Sequence, residues 1–273
     1  MEFKGIRYEK KGPVATITKI NPEFNYAMDK VIVPEVNCAL QDAKVDDEIR
    51  VVVITSESGV HQGAFCVYQV MMEQPDITTL GLRDLYVYGH EVARTIWTMD
   101  KPVIGVVKKE GCGGGMEFLH ACDFVIGAED AEFSAPEVES GAICSWGGSQ
   151  RIPRMVGWRR AQEILMLGGR MTGREAADCG LITRAVPVDQ VDAEVQKIID
   201  RILSLPPQGI AYNKMALHKT WEMNLSAGLD WEIEAATMIL AEGSFKKITD
   251  CYMTGEKPQF GPYYHTTHTP EWQ

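Results

Sequence analysis

Residues 51–54 read Val-Val-Val-Ile, and a run apolar at every position belongs to a strand covered on both faces. A strand of that type disfavours an exposed hairpin sheet and points to a layered α/β chain. Residues 103–107 and 124–126 repeat it. Before them, residues 6–8 and 14–20 alternate and carry β-branched side chains on either side of Lys11, Gly12 and Pro13, which predicts an opening hairpin. Helical spacing appears at 34–43, with Val36, Ala39, Leu40 and Ala43 on one face and Pro34 tolerated in the first turn. A longer helix is expected at 80–98, with Asp76 as the capping residue and Asp100, Lys101 and Pro102 as the stop. Residues 158–167 read as a helix, and Thr172-x-x-Glu175 is a capping box opening a short helix that stops at Gly180. A strand at 182–186 and a helix marked by Val191, Val195, Ile198, Ile199 and Ile202 follow. Pro206-Pro207 then sets the expected division into a core, 1–205, and a C-terminal segment, 206–273. That segment reads as helices at 210–221 and 229–240, a third candidate at 245–251, and an irregular tail from Pro258. A helical hairpin so small has to lay its apolar face on the core or on a neighbouring subunit.

Composition narrows the chemistry. A net charge of -11 and a pI near 5.1, with no basic stripe, argue against nucleic acid and for small-molecule chemistry. The seven cysteines form no CxxC pair, which suits a reducing compartment. Residues 1–11 are charged throughout, and no run of about 18 apolar residues occurs, so a cytoplasmic protein without a membrane span is expected.

Gly111-Cys112-Gly113-Gly114-Gly115-Met116-Glu117 joins the strand at 103–107 to a helix-like stretch at 118–122. Bare amides at a helix N-terminus attract negative charge, and glycine lets a ligand approach. Met116 stands where a dinucleotide fingerprint needs glycine or alanine, and no phosphate-cradling Gly-x-x-x-x-Gly-Lys-Ser/Thr is present. Ile143 two residues before Ser145 removes the nucleophile-elbow reading. Glu117 and His120 have Glu-x-x-His spacing, but the second copy of a di-metal carboxylate site is missing, so no metal is expected and His120 reads as a histidine satisfied inside a helix. What survives is Glu117 and Glu137, twenty positions apart, beside glycine amides. Spacing leaves two readings open. They are a helix-start and a solvated loop glutamate, or two carboxylates sharing one water as base and acid while amides hold an enolate oxygen.

The chain resembles the crotonase, or enoyl-CoA hydratase, superfamily. The resemblance is carried by Lys101-Pro102-Val103-Ile104-Gly105 leading into the glycine run, Cys122-Asp123, residues 131–137 (Ala-Glu-Phe-Ser-Ala-Pro-Glu), residues 147–157 and residues 170–181. It implies a spiral of repeated strand, strand, helix units with a C-terminal helical segment that forms trimers, often paired into hexamers. It also implies a coenzyme A thioester as substrate and no separate cofactor. By position, Gly114 supplies one amide of the family's oxyanion hole. Glu117 and Glu137 fall on the two glutamates that hydratases use on the water, Glu117 to activate it and Glu137 to protonate the α-carbon.

The departures from the family bear on the substrate. The second oxyanion amide falls at Gln69, in Phe65-Cys66-Val67-Tyr68-Gln69-Val70, where the family has small residues and an aspartate. Cys144, Ser145 and Trp146 also replace proline and small residues. Cys66, Tyr68, Gly113 and Trp146 are the expected substrate-lining residues, Trp146 either against the acyl group or packed in the core. Bulk at 68, 69 and 146 suggests a cyclic or bulky acyl group. The resemblance also admits a ring-opening C-C hydrolase or a double-bond isomerase, with Tyr263, Tyr264 and His265 either contributing to such chemistry or forming a disordered or packing tail, or a silent acyl-CoA-binding member.

Overall fold

The computed structural model describes residues 2–22, 26–63, 70–241, 243–256 and 260. Strands β1 (Ile6–Lys11) and β2 (Val14–Lys19) form the expected antiparallel hairpin. Onto β2 are added β3 (Val51–Ser56), β5 (Val103–Val107), β7 (Phe124–Ala128) and β10 (Arg184–Val186), all parallel, in the order β1-β2-β3-β5-β7-β10. A second sheet takes the short pieces β4 (Val60–His61), β6 (Glu110–Cys112) and β8 (Glu132–Ser134), parallel to one another, with β9 (Arg170–Thr172) antiparallel at its edge.

This setting explains the all-apolar strand. Val51 and Val53 join one apolar cluster with Ile104, Val106, Phe133 and Met171, which draws on both sheets. Val52 and Ile54 point the other way, toward α1 (Ile32–Val45) and α2 (Thr79–Thr98) through Val36, Leu40, Val92 and Ile96. Side chains alternate across a strand, so a strand wet on neither face is apolar at every position.

Several boundaries shift from expectation, and two of the shifts have a clear physical reason. The cap of α2 is Thr78, whose Oγ1 accepts from the Gly81 N–H at 3.1 Å, because Thr78 directly precedes the first helical residue and Asp76 lies outside the turn. The helix expected from 118 begins five residues earlier, as α3 (Gly113–Leu119), so the glycines lie inside it. Packing overrides helix propensity there. A Cβ on Gly115 would lie 2.4 Å from the His61 carbonyl oxygen and 2.3 Å from that of Gln62, so only glycine lets α3 sit against the end of β4.

Helices α4 (Gly148–Val156), α5 (Trp158–Leu167), α6 (Gly173–Asp178) and α7 (Val191–Leu203) follow. The Thr172–Glu175 capping box opens α6 with both reciprocal hydrogen bonds formed. The C-terminal segment is helical, with α8 (Pro207–Glu222), α9 (Leu225–Ala241) and α10 (Ser244–Thr254). α8 is tied down by Lys214, whose Nζ donates to the carbonyls of Ile96 at 2.8 Å and Lys101 at 3.0 Å and to Asp123 Oδ2 at 2.7 Å. α9 buries no residue, and Leu225, Leu229, Ile233, Met238 and Leu240 all stand exposed on it. Among the described residues, no helix is long and apolar enough to cross a membrane.

Candidate active site

The second sheet brings the two glutamates together. β6 and β8 run parallel with Cys112 opposite Ser134, so the chain leaves both strands on the same side. Glu117 comes five residues after Cys112, in α3, and Glu137 three residues after Ser134, in a 3-10 turn at Pro136–Ser140. β4 pairs with β6 on the other side, with His61 opposite Gly111, and this carries Gly63 to the start of α3. A Cβ on Gly63 would stand 3.6 Å from the Gly114 nitrogen. The Gly114 amide thus lies in the first turn of α3, where N–H groups have no intrahelical acceptor, beside the chain leaving β4.

Glu117 is 1% exposed. Its Oε1 accepts from the backbone N–H groups of Trp146 and Gly148, each at 2.8 Å. Burial pushes its carboxyl up to about 7, and the nearby Glu137 adds to the rise, while the two amides and the Arg151 guanidinium oppose it. Glu137 is half-buried. Its Oε2 accepts from the Cys144 thiol at 3.1 Å, and its Oε1 rests against Gly113. Gly113 has φ +53°, and a Cβ there would lie 2.8 Å from that oxygen, so both the conformation and the space demand glycine.

Ligating atoms of Glu117, Glu137 and Cys144 lie within 4.8 Å of one another. Burial and the neighbouring glutamates push the Cys144 thiol well above its usual range, so it remains protonated and acts as a donor to Glu137. With Glu117 Oε1 taken by two amides and Glu137 Oε2 by the Cys144 thiol, the group suits two carboxylates held by separate donors better than a set of metal ligands. Two carboxyls at this separation, one with a proton affinity near neutral pH, can exchange protons with a water between them.

Of the other expected residues, Trp146 takes the second of its two expected places, in the core and not along the substrate. Its indole packs in the core, 0% exposed, with its centroid 4.8 Å from that of Phe118 and so tight against α2 that a Cβ on Gly89 would lie 2.4 Å from it. What Trp146 offers the site is its backbone N–H. His120 is buried, and neither ring nitrogen has a hydrogen-bond partner among the described residues, which differs from the satisfied histidine expected; burial holds it neutral, down to about 3. Cys66, Tyr68 and Gln69 lie outside the described residues, as do Tyr263, Tyr264 and His265. Sequence reasoning missed the roles of Cys144, Gly148 and Arg151 in holding the two carboxylates. The Gly147-Gly148 pair was the available signal, and it holds one of the two donors, Gly148.

The family model described as enoyl-CoA hydratase/isomerase matches residues 9–262. A probable mitochondrial enoyl-CoA hydratase of Dictyostelium discoideum is 31% identical over 225 residues, 82% of this chain and 79% of that protein. A crotonyl-CoA hydratase of Syntrophomonas wolfei is 28% identical over 260 residues, 95% of this chain and 99% of its own. Among solved structures, an enoyl-CoA hydratase from a Polaromonas species superimposes with a TM-score of 0.87 at 25% identity, covering 93% of this chain and 99% of that one.

Proposed function

The chain belongs to the enoyl-CoA hydratase/isomerase family, and we propose on that basis that it is a lyase that adds water to an α,β-unsaturated acyl-CoA, or removes it. The observation that carries this reading is the pairing of Glu117 with Glu137 next to the Gly114 amide. The thioester oxygen accepts from that amide, with the second donor expected at Gln69. Glu117 takes a proton from the water between the carboxyls, and the oxygen attacks the β-carbon. Negative charge passes to the thioester oxygen, where amides that need no reorganisation stabilise the enolate. The proton taken by Glu117 passes to Glu137, which delivers it to the α-carbon, so one water supplies both the hydroxyl and the hydrogen and the two carboxyls end as they began. A base near 7 matches this task at neutral pH, because it is ionised often enough to act yet basic enough to take the proton.

The presence of both carboxyls favours hydration over double-bond isomerisation, which adds no water. Glu137→Gln tests the reading. We expect kcat to fall by about 10²- to 10⁴-fold on an accepted enoyl-CoA. Turnover near the original rate would refute the two-carboxylate mechanism. The product mass separates the alternatives, since isomerisation leaves it unchanged and ring-opening hydrolysis adds water irreversibly.

The case for a cyclic or bulky acyl group now rests on Tyr68 and Gln69 as sequence, because the Trp146 indole faces the core. Comparing crotonyl-CoA with an alicyclic enoyl-CoA decides it, and a clear preference for crotonyl-CoA sinks it. We further infer a homotrimer or a hexamer of two trimers. The apolar side chains along α9, unburied in the single chain, support an assembly in which a neighbour covers them. Light scattering after gel filtration tests this, and a monomer at micromolar concentration would contradict it. Among the described residues no cysteine is in a disulfide, which supports the reading of a reducing setting.

A further inference from the structure

A chain of contacts runs from Glu117 out to the C-terminal helices. The peptide planes around Trp146 turn two N–H groups onto Glu117, and the Trp146 carbonyl accepts from Arg151 Nη1 at 3.1 Å. Arg151 lies on α4, with its guanidinium carbon 5.6 Å from the centroid of the Trp97 ring on α2. Trp97 is stacked on His218 of α8, with centroids 3.6 Å apart and planes 10° apart, and it leans on Trp221 of the same helix at 5.2 Å. The guanidinium therefore sits between the amide loop and an aromatic shelf, and α8 builds half of that shelf. A planar cation suits the place, since it stacks on an indole face and donates in its own plane.

We propose that Arg151 is a positioning residue for Glu117. Seated on Trp97, His218 and Trp221, its guanidinium fixes the peptide planes that give Glu117 its two donors, so the docking of α8 sets the geometry and ionisation of a carboxylate it never touches. The inference rests on the hydration reading above for its kinetic consequences only.

The charges around the pair give the proposal its sign. Glu117 is faced by Glu137 from the 3-10 turn, by the Cys144 thiol and by Arg151 from α4, and Arg151 is the member of that set that favours the carboxylate. Arg151 itself is faced by Glu117 and Cys122, while His90, His120 and His218 feel its charge and are kept neutral by burial together with it. Removing the guanidinium takes away both the cation and the support of the two amides. Both losses raise the proton affinity of Glu117.

The test uses Arg151→Gln, Arg151→Lys and His218→Ala in the full-length protein. For Arg151→Gln we expect kcat to fall about 10- to 100-fold with KM within about twofold, as for a group held slightly out of place. The acid limb of the pH–rate profile should move to higher pH. Arg151→Lys, which keeps the charge and one donor, should recover part of the loss, and His218→Ala should move the limb the same way by less. A ¹³C-carboxyl titration, with Glu117 assigned through Glu117→Gln, reads the same upward shift without turnover. If Glu117 titrates at the wild-type pH in folded Arg151→Gln, the proposal is overturned. Should that variant not fold, wild-type titration in both Arg151→Lys and His218→Ala overturns it instead. A wild-type protein that hydrates no enoyl-CoA would defeat the hydration reading and leave the titration as the test of Arg151.

Discussion

The Cys144 thiol donates to Oε2 of Glu137 across 3.1 Å, while Oε1 of the same carboxylate is pressed against Gly113. One oxygen is held by a hydrogen bond and the other by the bare backbone of the α3 N-terminus, which leaves the carboxyl a single orientation. Cys144→Ala removes the donor and should lower kcat about fivefold or more, the equivalent of one modest hydrogen bond of about 1 kcal/mol. Cys144→Ser, which keeps a donor, should retain more activity than the alanine variant. Equal rates in the two variants would show that the thiol does not orient Glu137.

Gly113→Ala should affect the same carboxylate from the other side. Its φ of +53° disfavours any side chain, and the added methyl meets Glu137 Oε1 at 2.8 Å. A loss of about 1 to 2 kcal/mol in urea unfolding is expected, together with a fall in kcat larger than the change in KM. An unaltered midpoint and rate would mean that the turn relaxes freely.

Glu117 links stability to pH. Its carboxyl is raised to about 7 in the folded protein against an ordinary 4.5, so the native state holds this proton longer than the unfolded chain does. The stabilisation it provides is complete below about pH 4.5 and is lost as pH rises through 7. Glu117→Gln removes that slope. The variant should gain on the wild type between pH 5 and pH 8, by on the order of 3 kcal/mol at the upper end, while losing activity. Parallel stability curves for the two proteins across this range would disprove the buried-carboxyl account.

Lys214→Met should be among the costliest single changes in the chain. It strips the cation from Asp123, both side chains being largely buried, and leaves the carbonyls of Ile96 and Lys101 without their donor. Breaking a buried pair from one side costs about 3 to 5 kcal/mol. Adding Asp123→Asn to that background should restore part of it by removing the stranded charge, and a double-variant cycle measures the coupling. Strict additivity would mean that the two groups do not stabilise one another.

Where the sequence was legible, a local rule and the tertiary environment agreed. Residues 103–107 are apolar because both faces of β5 are covered, and the Thr172–Glu175 box caps α6 with its own side chains. Hidden elements lacked a local rule. β4 spans two residues, too few for any period, and α4 opens on Gly148 and holds Pro153 inside it. The glycine run read as a loop because helix propensity is a local quantity, whereas the demand for Gly115 comes from the carbonyls of β4, more than fifty residues away. At the site, Glu117 and Glu137 could be named because carboxylates announce themselves in a sequence. The donors to Glu117 could not, since they are backbone N–H groups of Trp146 and Gly148, which any residue type supplies. Trp146 drew attention for its indole and contributes its amide.

The fit of Gly113 against Glu137 and of Gly115 against His61 and Gln62 also bears on the descent of such a site. At either codon even the smallest replacement, alanine, meets an atom closer than a methyl group tolerates, so no nearly neutral first step leads away from glycine. A change of acyl group that keeps the two glutamates in place therefore has to come from the walls that carry side chains and not from this floor.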